Sequence, residues 1–192
     1  MTPPELARRL QTQFGALLTA PVVFRGEVTL RLTAAERVAE VCAFAKQTLG
    51  FDFLLDISSI DNYGEEPRWT VVYELYGLGH RGHLRLTTDV SEAASELPTV
   101  TAVWATANWH EREVYDLMGI RFRGHPDPRR ILMWEGYPYF PLRKDFPLAG
   151  KTTELPEVAF TAPAPLEGGP FVTTPGAAHT TEREPRARTT AR

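Results

Sequence analysis

The sequence predicts an α+β fold in which helices pack on a mixed β-sheet. The elements run in the order α-β-β-α-β-β-β, followed by one more helix and a Pro- and aromatic-rich extended segment. Three observations carry this reading. Two stretches, 5–18 and the run after Thr33, repeat apolar residues at helical spacing. Several short runs beside them are rich in β-branched and aromatic residues, with alternation in places. The joints between those runs, such as DNYGEEP and GHRG, carry the Asn, Gly and Pro that turns require.

The first helix covers 5–18, where Leu6, Leu10, Phe14, Leu17 and Leu18 recur on one side. Pro3 and Pro4 suit its start, because a missing N–H costs nothing in a first turn. Two short strands follow, VVF (22–24) and EVTLRL (27–32), split by Arg25-Gly26 in a hairpin-like turn. Thr33 then caps a second helix, with Glu36 three positions on completing a capping box. Val38, Val41, Cys42, Ala45 and Leu49 form its buried stripe, and Gly50 closes it. Three strands come next, at 51–61, 69–78 and 83–90. In the middle one, Val71, Tyr73 and Leu75 share a face opposite Val72, Glu74 and Tyr76.

After Val90 the pattern returns to helix. Pro98-Thr99 precedes VTAVWATA, and Asn108 is placed to cap WHEREVYDLM with Glu111 as its reciprocal partner. Gly119 fits the left-handed position that ends this helix, and Ile120 the apolar contact beyond it. Residues 121–148 hold too many prolines and aromatics for regular structure. From about Ala149 the chain turns rich in Thr, Pro and Ala. This sets a domain at 1–148 and an extended tail at 149–192, where Val158–Phe160 and Phe171–Val172 are candidate anchors. The last seventeen residues, with Arg183, Arg186, Arg188 and Arg192, read as disordered.

Composition narrows the function. The 192 residues carry a net charge of −3, so no overall field draws a polyanion, and nucleic-acid binding is disfavoured. The lone cysteine, Cys42, forms no internal disulfide and builds no zinc or iron–sulfur site by itself, which fits a reducing compartment. No run of eighteen apolar residues spans a bilayer, and the N-terminus lacks an apolar signal-peptide core.

The candidate chemistries all fall in 108–148. Glu113 and Asp116 share a helix face, as an acid–base pair would, although a solvated face braced by Arg112 is the better reading. His125 is a candidate base held by Asp127, but no Ser or Cys elbow accompanies it. His80 and His83 are a lone pair in a solvated turn, and His110-Glu111 fails as a zinc helix because Val114 stands where a histidine is needed. Docking remains: Arg129-Arg130 and Arg143-Lys144 bracket Trp134, Tyr137, Tyr139 and Phe140, a mixture enriched at protein interfaces. A Pro-rich loop packed on its own domain accounts for the composition equally well.

EREVYDLMGIRFRGHPDPRRIL (111–132), followed by PLRKDFPL (141–148), resembles the C-subunit family of proton-pumping NADH:quinone oxidoreductase, respiratory complex I. TVTAVWATANWHERE, FDFLLDISSIDNY and VVYELYGL extend the likeness over roughly 40–148. The resemblance implies a member of the hydrophilic arm that holds no cofactor itself, with iron–sulfur clusters and FMN in its partners. It implies an α+β domain, held peripherally on the cytoplasmic side of the membrane, beside the large quinone-site subunit and the iron–sulfur subunits. Its motif residues here are Glu111, Arg112, Glu113, Asp116, Gly119, His125, Asp127, Arg129, Arg130, Arg143, Lys144 and Asp145. Glu111, Arg112, Glu113 and Asp116, with Arg129 and Arg130, would fix helix and loop into one rigid unit, and Arg143, Lys144 and Asp145 would make charge contacts to the domain or across an interface. Members commonly have Gly-His before P-L-R-K-D and Glu-Asp-Trp a few residues earlier. Tyr139-Phe140 and Glu135-Gly136-Tyr137 stand here instead, implying altered packing at that point. Rival readings are the equivalent subunit of a membrane-bound hydrogenase or other-donor dehydrogenase, and a small stand-alone hydrolase using His125.

Overall fold

The computed structural model describes residues 1–148, 150 and 151. The expectations for the rest of the tail, including its anchors and basic end, lie outside these residues. The chain divides into two compact units, Met1–Lys144 and Asp145 onward. In the second, the Lys151 ammonium lies 5.9 Å from the Phe146 ring centre.

The first unit is α+β, with helices on a mixed sheet. It begins with α1 (Pro3–Phe14), whose first turn is closed where the Thr2 N–H donates to Glu5 at 2.8 Å. The helix stops four residues short of the expected end. Gly15 takes φ +56°, a short 3₁₀ turn follows over Gly15–Leu17, and Leu18 turns inward to bridge Leu32. Strands β1 (Val22–Phe24) and β2 (Glu27–Leu32) pair antiparallel, joined by Arg25 and Gly26, both at positive φ. Two left-handed residues in succession match the turn to the strands' twist.

The expected capping box at Thr33 and Glu36 does not form. Residues Ala35–Arg37 make a 3₁₀ turn, and α2 starts at Val38 and runs to Leu49. The Thr33 hydroxyl donates instead to the Leu17 carbonyl at 3.1 Å, and the Glu36 carboxylate pairs with Arg123. Long-range partners outcompete the local cap. Downstream, the predicted stripe of α2 is wholly buried and Gly50 closes the helix in the left-handed conformation.

Strands β3 (Phe53–Asp61), β4 (Trp69–Gly77) and β5 (Gly82–Val90) complete a five-stranded sheet of order β1-β2-β5-β4-β3. Within this sheet, among the described residues, only the β2–β5 pairing is parallel. Leu30, Leu32, Leu84, Leu86, Val71, Tyr73 and Leu75 are buried in one core with Leu6, Leu10, Val41 and Ala45 of the helices. His80 is not the solvated turn residue its neighbours suggest. Its ring stands edge-on to Phe51 at 4.9 Å, and a Cβ on Gly77 would lie 2.2 Å from its Nε2, so the glycine is what admits the ring.

The stretch after Val90 is not helical at first. Glu96–Pro98 forms β6, which pairs parallel with β7 (Arg121–Arg123), so the segment expected to be irregular from 121 also opens with a strand. Between them the chain makes turns over 100–106 before α3 (Ala107–Met118). Those turns are pinned rather than coiled. Trp104 is buried and donates to the carbonyl of Asp52 at 3.1 Å, and Lys46 donates to that of Val103 at 2.6 Å. Asn108 lies inside α3, whose N-cap is Thr106, and so does not cap it.

Candidate functional site

α3 carries charges on a face that ordinary helices keep apolar: Glu111, Arg112 and Asp116 are all buried. Each charge is answered by the chain around it. Glu111 accepts the Val100 N–H at 2.6 Å and the Thr99 hydroxyl at 2.5 Å, tying the turn after β6 to the helix. Burial pushes its carboxyl up to about 7, against the pull of these two donors. Asp116 receives far more help. Its Oδ2 accepts the N–H groups of Ile131, Leu132 and Met133 at 3.0, 2.7 and 2.8 Å, and its Oδ1 accepts Arg130 at 2.6 Å. Burial pushes this carboxyl up as well, but the four donors outweigh it and hold it below its ordinary value.

Arg130 is the keystone of the loop on Asp116. Its guanidinium also donates to the carbonyls of Asp116 and Tyr139 at 2.9 and 3.2 Å. It lies 5.9, 5.7 and 5.0 Å from the ring centres of Tyr115, Tyr137 and Phe140. One turn back along α3, Arg112 reaches the loop in the same manner. It donates to the carbonyls of Arg129 and Arg130 at 3.0 and 3.2 Å, with Trp109 against its guanidinium at 5.3 Å. Asp127 is chelated by Arg129 at 2.6 and 2.8 Å, and this pairing draws its carboxyl down to about 2.

Beyond α3, Gly119 is left-handed, and any Cβ there would meet Arg143 Nη2 at 2.3 Å and the Phe140 ring at 2.7 Å. The space is taken because Arg143 caps the helix. It donates from Nε to the Met118 carbonyl at 2.7 Å, between Phe140 at 4.5 Å and Trp69 at 5.1 Å. Lys144 donates its backbone N–H to Asp61 at 2.8 Å. The cluster thus joins eight predicted residues, Glu111, Arg112, Asp116, Gly119, Asp127, Arg129, Arg130 and Arg143, to the loop over 125–143. Glu113 stands outside it, exposed to solvent, so it shares no buried face with Asp116. Asp145 falls in the second unit.

His125 takes a structural place. Its Nδ1 accepts the Asp127 N–H at 3.0 Å, so the proton resides on Nε2, which donates to the Asn108 carbonyl at 3.2 Å. The Asp127 carboxylate, meanwhile, is committed to Arg129. His125 is therefore not oriented by the Asp127 carboxylate, and Glu111 Oε2, 3.8 Å from its Nε2, stands beyond hydrogen-bonding reach, so the hydrolase reading loses its support. Among the described residues no three His, Cys, Asp or Glu side chains are grouped to hold a metal ion. A cavity of about 270 Å³ is lined by Glu111, Arg112 and His125 together with Arg121 and Arg123.

Sequence reasoning missed one further network. Asp61 and Arg68, both buried, chelate one another at 2.9 and 3.0 Å, with Glu92 on the remaining Arg68 nitrogen at 2.5 Å. Arg68 lies over Trp69 at 4.4 Å, so one indole supports both Arg68 and Arg143. The available signal was an Asp ending one strand and an Arg just before the next across a turn.

Residues 32–152 match the protein family described as respiratory-chain NADH dehydrogenase, 30 Kd subunit. The chain is 49% identical over 134 residues to a C-type NADH-quinone oxidoreductase subunit of Rhizobium meliloti, covering 69% of this chain and 73% of that one. It is 45% identical over 147 residues to the C-type NADH-quinone oxidoreductase subunit of Geobacter sulfurreducens, covering 76% and 90%. Among solved structures, a trypsin-resistant fragment of a protein named Nqo5 superposes with a TM-score of 0.56 at 35% identity, over 64% of this chain and 96% of the fragment. A chain of an archaeal membrane-bound sulfane sulfur reductase shares the fold, with a TM-score of 0.65 at 22% identity over 75% and 85%.

Proposed function

This chain belongs to the family of the 30 Kd subunit of respiratory-chain NADH dehydrogenase, and from that premise we propose how it serves the complex. It is a subunit of the hydrophilic arm of NADH:quinone oxidoreductase, and other subunits of that complex are its partners. Its own part is structural. NADH oxidation, electron transfer and quinone reduction proceed in neighbouring chains, which hold the FMN and the iron–sulfur clusters, while this chain holds none. Its chief neighbours are the large quinone-site subunit and the iron–sulfur subunits, on the cytoplasmic side of the membrane. No helix among the described residues is long and apolar enough to cross a membrane, so attachment through the complex suits it.

The observation that carries this reading is where the matched segment spends its charges. Within 32–152, Glu111, Arg112, Asp116, Arg130 and Arg143 bond to the chain's own backbone and rings, and so build a shaped surface instead of addressing a substrate. Such rigid, pre-ordered loops lower the ordering cost of association.

The test is affinity purification from detergent-solubilised membranes with an N-terminal tag, followed by mass spectrometry and NADH:quinone activity of the eluate. The quinone-site and iron–sulfur subunits are expected to co-elute with activity. Hydrogenase subunits in their place would move the chain to the sister complex, and a chain eluting alone would overturn the reading.

A further inference from the structure

We propose that the outer edge of β3 is a docking site for an extended segment of a neighbouring subunit, which adds to the sheet as a further strand and sets a basic side chain against Glu113 and Asp56. The proposal rests on the reading above that the chain works inside a larger assembly.

The backbone supplies the first argument. Among the described residues β3 ends the sheet and pairs only with β4. The Asn62 N–H donates to the Arg68 carbonyl at 2.8 Å, which sets the alternation along the ladder. Ser58 and Ile60 therefore bond toward β4, and the N–H and C=O groups of Ile57, Ser59 and Asp61 point outward. The bulge at Leu54/Asp56 lies upstream and leaves this stretch regular. Edge strands are normally guarded by charged side chains, especially Lys, by Pro, by bulges, by shortness or by a covering helix or loop. β3 has nine residues and neither Lys nor Pro, whereas β1, the opposite edge, has only three residues.

The second argument is the groove beside that edge. α3 runs along β3, leaving a cavity of about 320 Å³ floored by Ile57, Val114, Leu117 and Met118 and lipped by the exposed Leu142. Ser59 Oγ is buried there without a hydrogen-bond partner. An added strand would place alternate apolar side chains on this floor and a polar backbone group within reach of Ser59.

Charge completes the description of the occupant. Glu113 lines the groove and forms no ion pair among the described residues, and the half-exposed Asp56 has only His110 at 3.3 Å. Asp61 is already neutralised by Arg68, and Lys144 sits on the groove as its one cation among the described residues. The site therefore fits a two-residue apolar period ending in Lys or Arg.

The experiment is residue-resolved hydrogen–deuterium exchange on the purified complex and on the full chain alone. In the free chain the amides of Ile57, Ser59 and Asp61 should exchange fast, and those of Ser58 and Ile60 slowly. In the complex the outward three should slow at least ~10-fold. Glu113→Lys should reverse part of that protection while the chain's own fold is unchanged by circular dichroism. Equal exchange of the three amides in a complex that still retains the chain would overturn the docking site and leave the family assignment standing. Protection confined to Val22–Phe24 would overturn it too, by moving the contact to the other edge. Protection that appears in the free chain as its concentration rises would assign the edge to a second copy and overturn the proposed occupant. Loss of the chain from the complex in the unmodified protein would instead strike the assignment itself.

Discussion

Two carboxylates on one helix, Glu111 and Asp116, are both 0% exposed, yet their environments drive them in opposite directions. Glu111 faces the turn after β6, where two donors meet it, and burial wins. Asp116 faces the loop over 130–133, where three backbone N–H groups and a guanidinium meet it, and the donors win. Both acids are closed to solvent, but Glu111 is packed more deeply and meets two donors, whereas Asp116 is packed less deeply and meets four. Burial and the donors aimed at a carboxyl together set its charge state. The comparison also separates two construction methods. At Glu111 the chain tolerates a protonated acid as a tether. At Asp116 a full negative charge organises a loop with no regular structure of its own.

The largest effect expected from this contrast is at Asp116. Asp116→Asn keeps the shape but removes the charge, leaves Arg130 without its counter-ion and presents an NH₂ to N–H donors. It should cost about 3–5 kcal/mol in urea denaturation, with new protease cleavage in 128–140. A cost below ~1 kcal/mol would mean that the aromatic rings around Arg130, and not the carboxylate, hold the loop.

The equivalent change on the other side, Glu111→Gln, should act through pH. The folded Glu111 carboxyl sits near 7 against an ordinary 4.5, so the folded state binds this proton more tightly than the unfolded one. Its contribution is full below pH 4.5 and is lost as pH rises through 7, a span on the order of 3 kcal/mol at most. The Gln variant should flatten the fall in stability across that window and match or exceed the parent at pH 8. Asp116 has the opposite sign, contributing above its ordinary range and losing that contribution as pH falls below it. An unchanged slope in Glu111→Gln would mean that Glu111 does not take up its proton across this window.

Gly119→Ala tests how the loop meets the end of α3. It forces a side chain into φ +78° and against Arg143 and Phe140, and should cost about 2 kcal/mol. A double variant with Arg143→Ala should recover part of that cost, because the methyl then enters space the guanidinium vacated. Strict additivity would show that backbone strain, not the lost room, is the whole effect.

The contrast also marks what was legible beforehand. β1 to β5 and the buried stripe of α2 were readable because period and turn chemistry are local signals. β6 and β7 were not: three residues each, ELP and RFR, offer no alternation, and their pairing joins segments separated by all of α3. Thr33 and Glu36 carried the right letters for a cap, but Leu17 and Arg123 claimed them from a distance. In the site, the motif residues and the joining of helix to loop were implied by the resemblance, and the individual contacts were not legible. Glu113 and Asp116 are three residues apart on α3, and what buries one and not the other is the path of 128–140 across the helix. That path depends on Arg130 reaching Asp116, a contact no spacing rule contains. His125 misled for a related reason, since its partner in the sequence, Asp127, reaches it through a backbone N–H and not through its carboxylate.

The smallest expected effect is at Glu113, and it sharpens the comparison most. It lies between the two buried acids in sequence and belongs to neither construction, exposed and without an ion pair among the described residues. Glu113→Ala should therefore change the stability of the free chain by no more than ~0.5 kcal/mol, as surface substitutions do. If the β3 edge docks a basic segment, the same substitution should weaken retention of the chain in the solubilised complex, read as the fraction lost on a salt gradient. A residue that is silent in the free chain and felt in the assembly is one whose charge is reserved for a partner. A loss of stability in the free chain comparable to that of Asp116→Asn would instead mean that Glu113 belongs to the loop's own framework, and the division drawn between the buried acids and the exposed one would not hold.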